Sequence, residues 1–222
     1  MNETFRLDRE GDVLLDGAGR RFEPATRTWL AAESTAQSSN VEAIDALAAV
    51  RWLQRQSGHP LRVPIGVIGP REATDAHLGA ALQVGELLGD CGLTVLCGGR
   101  QGVMQAVCEG VARVGGLSLG LLPDADPSHA NPYVGVVVAT GIGEARNALI
   151  ARASFCLIAI GDSLGTLSEV ALGLQFGKAV IGLEGAAKVE GVQHVSDPTE
   201  AVAMVGALAL AIVYPRSAAS RR

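Results

Sequence analysis

Beyond residue 61 the chain repeats one pattern: a short apolar run, a glycine-bearing turn, then a segment whose apolar residues recur at helical spacing. The apolar runs at 63–68, 93–97, 117–122, 133–139, 155–160 and 179–183 predict buried strands. Segments 75–88, 103–114, 144–153, 167–176 and 198–210 predict helices. Thr74 stands where the first helix needs an N-cap, and Gly115-Gly116 and Gly177-Lys178 end two of the others. Strands that are apolar almost throughout and alternate with helices predict an α/β fold built on a doubly wound parallel sheet. Ligands of such sheets bind at the carboxyl ends of the strands, near the point where strand order reverses. The glycine-rich turns fall at those ends.

The first 60 residues follow a different pattern. Asp12-Val-Leu-Leu-Asp16, Gly17-Ala-Gly19 and Arg20-Arg-Phe22 predict a small hairpin. Residues 34–40 are polar and predict a loop. Val41, Ile44, Leu47, Val50 and Leu53 share a helical face, so 41–56 predicts a helix ended by Ser57-Gly58-His59-Pro60. The expected organisation is a hairpin-plus-helix appendage over 1–60, a ligand-binding domain over 61–214 and a tail over 215–222.

Composition narrows the partners. With 222 residues, 48% hydrophobic and 18% charged, the chain suits one α/β domain with a full core. Its formal charge is −5 and no block of like charge stands out, so nucleic acid is not an expected partner. Cys91, Cys97, Cys108 and Cys156 show no C-x-x-C spacing, and a disulfide framework or structural metal is not expected. Residues 1–10 carry charges of both signs and no apolar run, so no signal peptide is read there. No run of about 18 apolar residues occurs, so no membrane association is expected and the default location is the cytoplasm.

Three turns carry candidate chemistry. Gly161-Asp-Ser-Leu-Gly165-Thr166 joins an apolar strand to a helix, where free N–H groups and the helix dipole attract phosphate. It lacks the lysine of a P-loop and is not G-x-G-x-x-G, so neither triphosphate hydrolysis nor a nicotinamide cofactor is suggested. A tight turn with an ordinary cap is its other reading. Gly98-Gly99-Arg100-Gln101-Gly102 has the same logic and more glycine than a turn needs; Arg100 either reaches an anion or is solvated. Gly69, at the end of the first strand, serves either an anion or close strand–helix packing. Thr166 and Glu169 have capping-box spacing, and the alternative for Glu169 is a carboxylate beside the ligand. Arg146 sits in a first helical turn, where the dipole opposes a cation and hints at a bound anion. Asn147 beside it bonds either a ligand or its own backbone. His77 and His129 read as packing or solvated residues. No nucleophile–histidine arrangement and no metal-ligand spacing is present.

Leu96-Cys-Gly-Gly-Arg-Gln-Gly-Val-Met-Gln-Ala-Val107, Thr140-Gly-Ile-Gly-Glu-Ala-Arg-Asn147 and Gly161-Asp-Ser-Leu-Gly-Thr-Leu-Ser-Glu169 occur in that order. Together they resemble the Rossmann-like, "lysine decarboxylase-like" superfamily of the Lonely-guy phosphoribohydrolases and the molybdenum cofactor carrier proteins. The likeness covers roughly residues 62–208. Asn147 after Arg146 is most similar to the subgroup containing the carriers. Two signature glycines are replaced, by Asp162 and Ser163.

The resemblance implies a catalytic pair in Arg146 and Glu169. The expected phosphate and ligand contacts are Gly69, read from the first strand's end, and Gly98, Gly99, Arg100, Gly102, Asn147, Gly161, Gly165 and Thr166 in the resembling segments, with no metal. One expected function is hydrolysis of the N-glycosidic bond of a nucleoside 5′-monophosphate, without a cofactor. The alternative is non-catalytic carriage of the molybdenum cofactor, held by the phosphate of its molybdopterin. The partner in both cases is a small phosphate-bearing ligand, nucleotide or molybdopterin. By the same likeness the expected assembly is a homodimer or homotetramer.

Overall fold

The computed structural model describes residues 4–10, 12–31 and 41–212, which divide into two compact units. One comprises described residues up to 61 together with 203–212, the other residues 62–202.

In the first unit five short strands form an antiparallel sheet of order β4-β3-β2-β1-β5. They are β1 (Phe5–Asp8), β2 (Val13–Leu15), β3 (Arg21–Glu23), β4 (Thr28–Leu30) and β5 (Val41–Ile44). The predicted hairpin is the β2–β3 pair, with Leu15 opposite Arg21. Phe5, Leu7, Leu14 and Phe22 are buried, and Trp29 packs on Phe5 and Phe22 with ring centroids 6.1 and 5.0 Å away. The expected helix over 41–56 is corrected: 41–44 is β5, paired with β1 so that Phe5 faces Ile44. Helix α1 (Ala46–Arg55) starts only after Asp45, whose carboxylate accepts from the Ala48 amide. Val41 and Ile44 fit either period, and pairing with β1 decides for the strand. The predicted loop at 34–40 lies outside the described residues.

The second unit is the parallel sheet. Its strands are β6 (Ile65–Ile68), β7 (Val95–Cys97), β8 (Ser118–Leu122), β9 (Val136–Ala139), β10 (Leu157–Ile160), β11 (Val180–Leu183) and β12 (Val192–His194). Every pairing is parallel, in the order β12-β11-β10-β6-β7-β8-β9. Strands β6, β7, β10 and β11 are buried along their whole length, as their unbroken apolar sequences require. The helices are α2 (Asp75–Asp90), α3 (Val103–Arg113), α4 (Arg146–Ala153) and α5 (Leu164–Gln175); α6 (Pro198–Ala209) follows β12 and runs on into the segment of the first unit. Thr74 caps α2 as expected, accepting from the His77 amide.

From β6 the chain order runs outward to β9 on one side and through β10 to β12 on the other. The reversal therefore lies between β6 and β10, and a crevice opens there at the strand ends. Helices α2 and α3 pack closely beside it. A methyl group on Gly110 would lie 2.1 Å from the Leu82 carbonyl oxygen, so the backbones meet where a side chain is missing.

Candidate phosphate-ligand cleft

The turns after β6, β7 and β10 and the start of α4 surround a cleft of about 560 Å³. Each strand delivers its turn to the same edge because all run in parallel. Gly69, Gly98, Arg100, Arg146, Asn147, Gly165, Thr166 and Glu169 all line it. Gly99, Gly102 and Gly161 stand just outside that lining. The Gly99 amide donates to Cys97 Sγ and that of Gly161 to Leu183 O. Gly102 has φ +69° and packs on the Arg71 carbonyl, so it closes the turn rather than facing the cleft.

Arg146 and Glu169 are the deepest charged groups, their side chains 7% and 8% exposed. Arg146 Nη1 donates to Glu169 Oε1 at 3.1 Å and also to Asn147 Oδ1. Asn147 Nδ2 donates to Ser168 Oγ at 3.0 Å, and that hydroxyl donates to Gly165 O at 2.6 Å. Asn147 thus bonds side chains on two helices while lining the cleft. The Arg146 guanidinium lies over Gly98, where a Cβ would stand 2.7 Å from Nη2. Any side chain at 98 would displace it. Arg146 Nε is buried with no hydrogen-bond partner. A buried donor left unpaired costs free energy and marks a place where an acceptor belongs.

The capping-box reading of Glu169 is corrected by the helix start. Helix α5 begins at Leu164, so Ser163 is the N-cap and accepts from the Thr166 amide at 3.1 Å. Glu169 is three residues past the capping position at Thr166, nearly a full turn too far along, and its carboxylate meets Arg146 instead. Ser163, standing where the resemblance places a glycine, thereby occupies one amide at this helix end. Asp162 is exposed and does not line the cleft.

Arg100 forms an ion pair with Asp124, and Asp124 Oδ1 lies 3.5 Å from His129 Nδ1. The hydrogen bond from Arg100 holds the Asp124 carboxyl below its ordinary range. Much of the Arg100 charge is thus spent within the protein. Gly69 lines the cleft and also permits close packing, since a Cβ there would stand 2.6 Å from Ile160 O and from Val103 Cγ1. Sequence reasoning missed Arg71, Met104, Leu164 and Ser168. Arg71 directly follows the Gly69-Pro70 turn, and that adjacency was the available signal. Leu164 is 88% exposed at the cleft, an apolar surface suited to a ring face.

Burial raises the Glu169 carboxyl to about 7, against the pull of Arg146. The folded chain then binds this proton more tightly than the unfolded chain, where the ordinary value is 4.5. Its stabilising contribution is complete below the unfolded value and is lost as pH rises through about 7. Thermal melts should therefore fall in Tm between about pH 5 and about pH 8 by more in wild type than in Glu169→Gln. Identical pH profiles for the two would contradict the burial argument.

Glycine turns at a topological switch point, a helix N-terminus and a buried arginine with a spare donor define a Rossmann-like small-ligand-binding protein. The chain belongs to the SLOG cluster4 family, whose model matches residues 62–211. An uncharacterised protein of Archaeoglobus fulgidus is 38% identical over 138 residues, covering 62% of this chain and 91% of its own. A molybdenum cofactor binding protein from Rippkaea orientalis is similar in structure, with TM-score 0.63 and 34% identity over 67% of this chain and 98% of its own. The Moco carrier protein of Chlamydomonas reinhardtii gives 0.61 and 32%, over 68% of this chain and 100% of its own. Among the described residues no helix is long and apolar enough to cross a membrane.

Proposed function

We propose that the cleft binds a phosphate-bearing pterin of the molybdopterin type and holds it without breaking a bond. The observation that carries this reading is Arg146: buried, fixed by Asn147 and Glu169, and still lacking an acceptor for Nε. A phosphate oxygen entering the cleft supplies this guanidinium with a charge-assisted acceptor. The start of α5 adds its dipole and the amides left over after Ser163 has taken that of Thr166. Leu164, Met104 and Ile68 offer apolar contact to a ring, and Ser163 and Ser168 offer hydroxyls to its polar edge. The similar carrier and cofactor-binding proteins, at 32–34% identity, support the same ligand class.

Hydrolysis of a nucleoside 5′-monophosphate is the second reading, favoured by one observation. A carboxyl raised to about 7 suits a general acid or base at neutral pH. Against it, Glu169 Oε1 is engaged by Arg146. Equilibrium binding of the molybdenum cofactor, set beside base release from AMP, separates the two.

A further inference from the structure

A second hollow of about 480 Å³ adjoins the cleft, and Arg71 lines both. The first turn of α3 forms the rest of the divide: Met104 faces the cleft, while Gln105 and Ala106 face the hollow. Among the described residues no hydrogen bond or ion pair engages the Arg71 side chain. Helix α3 starts at Val103, whose amide donates to Pro70 O at 3.1 Å, and no side chain caps it at Gly102, so its dipole adds to the charge of Arg71 nearby. Beyond, Leu78, Leu82 and Ala106 give the hollow an apolar floor, and Gln105 brings an amide to its edge. Arg71 is exposed and lines both ring-sized spaces, which matches a ligand with anionic charge at its middle and a ring at each end.

Resting on the reading of the cleft above, we infer that the protein takes a two-part ligand. One half lies in the cleft, the other in the second hollow, and a diphosphate bridge joins them, one phosphate at Arg146 as above and the second at Arg71. The hollow then selects the nucleoside-like half by ring contact on Leu78 and Leu82 and by hydrogen bonding at Gln105. Glu109, in the same hollow, is paired with Arg113 at 2.7 Å.

FMN and FAD test this directly. FMN carries a pteridine-containing ring system and one phosphate; FAD adds a second phosphate and an adenosine. Gly79 lines the hollow but not the cleft, and a Cβ built there meets no atom within 4 Å. Gly79→Trp therefore fills the hollow while improving the helix. FAD is expected to bind wild type about tenfold tighter than FMN, and Gly79→Trp to remove that advantage with FMN affinity unchanged. A folded Gly79→Trp that keeps the FAD advantage overturns the inference. So does an FAD affinity no better than that of FMN, which leaves the reading of the cleft standing. Failure of FMN to bind at all removes that reading and this inference together.

Discussion

Arg146→Ala is expected to weaken binding of a phosphate-bearing pterin by a hundredfold or more, about 3 kcal/mol. The loss has two sources. The ligand phosphate loses its buried charge-assisted partner, and the arrangement of Asn147 and Ser168 loses the group that orients it. Glu169 is left buried without a cation, so its carboxyl rises further above its ordinary value and holds its proton at neutral pH. Stability falls as well, because truncating one member of a buried pair strands the other. The double variant Arg146→Ala/Glu169→Gln should recover stability and not binding, which isolates the arginine's part in the ligand site. Arg146→Lys should recover little of either, since one ammonium group cannot serve Asn147, Glu169 and a phosphate in the fork geometry of a guanidinium. Titration calorimetry with parallel thermal melts measures both effects. An Arg146→Ala affinity within about threefold of wild type would contradict the assignment.

Gly110→Ala should produce the largest loss of stability from a single methyl group. Its Cβ would stand 2.1 Å from Leu82 O and 2.9 Å from Glu86 N, both backbone atoms of α2. Neither can rotate away, so the two helices must separate. Helix propensity alone would favour alanine by about 1 kcal/mol, and the clash reverses the sign. Overpacking in a dense interior costs about 1–3 kcal/mol and occasionally more. For a chain of this size each 1 kcal/mol lowers Tm by about 2–4 °C, so a fall of roughly 5–10 °C is expected in calorimetry. Because α3 begins at the turn that carries Gly98 and Arg100, ligand affinity should decline with it. A Tm equal to or above that of wild type would show that α2 and α3 are not in close backbone contact.

The parallel sheet was legible because β6, β7, β10 and β11 are buried on both faces and read as unbroken apolar runs, and the exposed strand β9 carries the same kind of run in its valines. Strand β12 was missed for the converse reason: Val192-Gln193-His194 is a short, half-exposed edge strand and leaves no such run. In the first unit β1 and β4 were missed, and 41–44 was taken into a helix. Three- and four-residue strands carry too few positions for a period to declare itself, and partner strands decide. The site divides the same way. That glycine turns converge at one edge follows from strand order, and the sequence showed it. That Glu169 meets Arg146 rather than capping α5 depends on a helix start three residues earlier than the T-x-x-E spacing suggested. The pairing of Arg100 with Asp124, 24 positions away, is set by how the loop after β8 folds back, which no local pattern encodes.

On the function proposed above, this cleft grips the phosphate of a pterin at Arg146 and leaves the ligand intact. Titrating the purified protein with molybdenum cofactor, while AMP incubated with the same preparation is followed for released adenine, tests it most directly. Saturable binding of the cofactor that vanishes in Arg146→Ala, with no adenine formed, is the predicted result. Adenine release that disappears in Glu169→Gln, with no saturable cofactor binding, would contradict it.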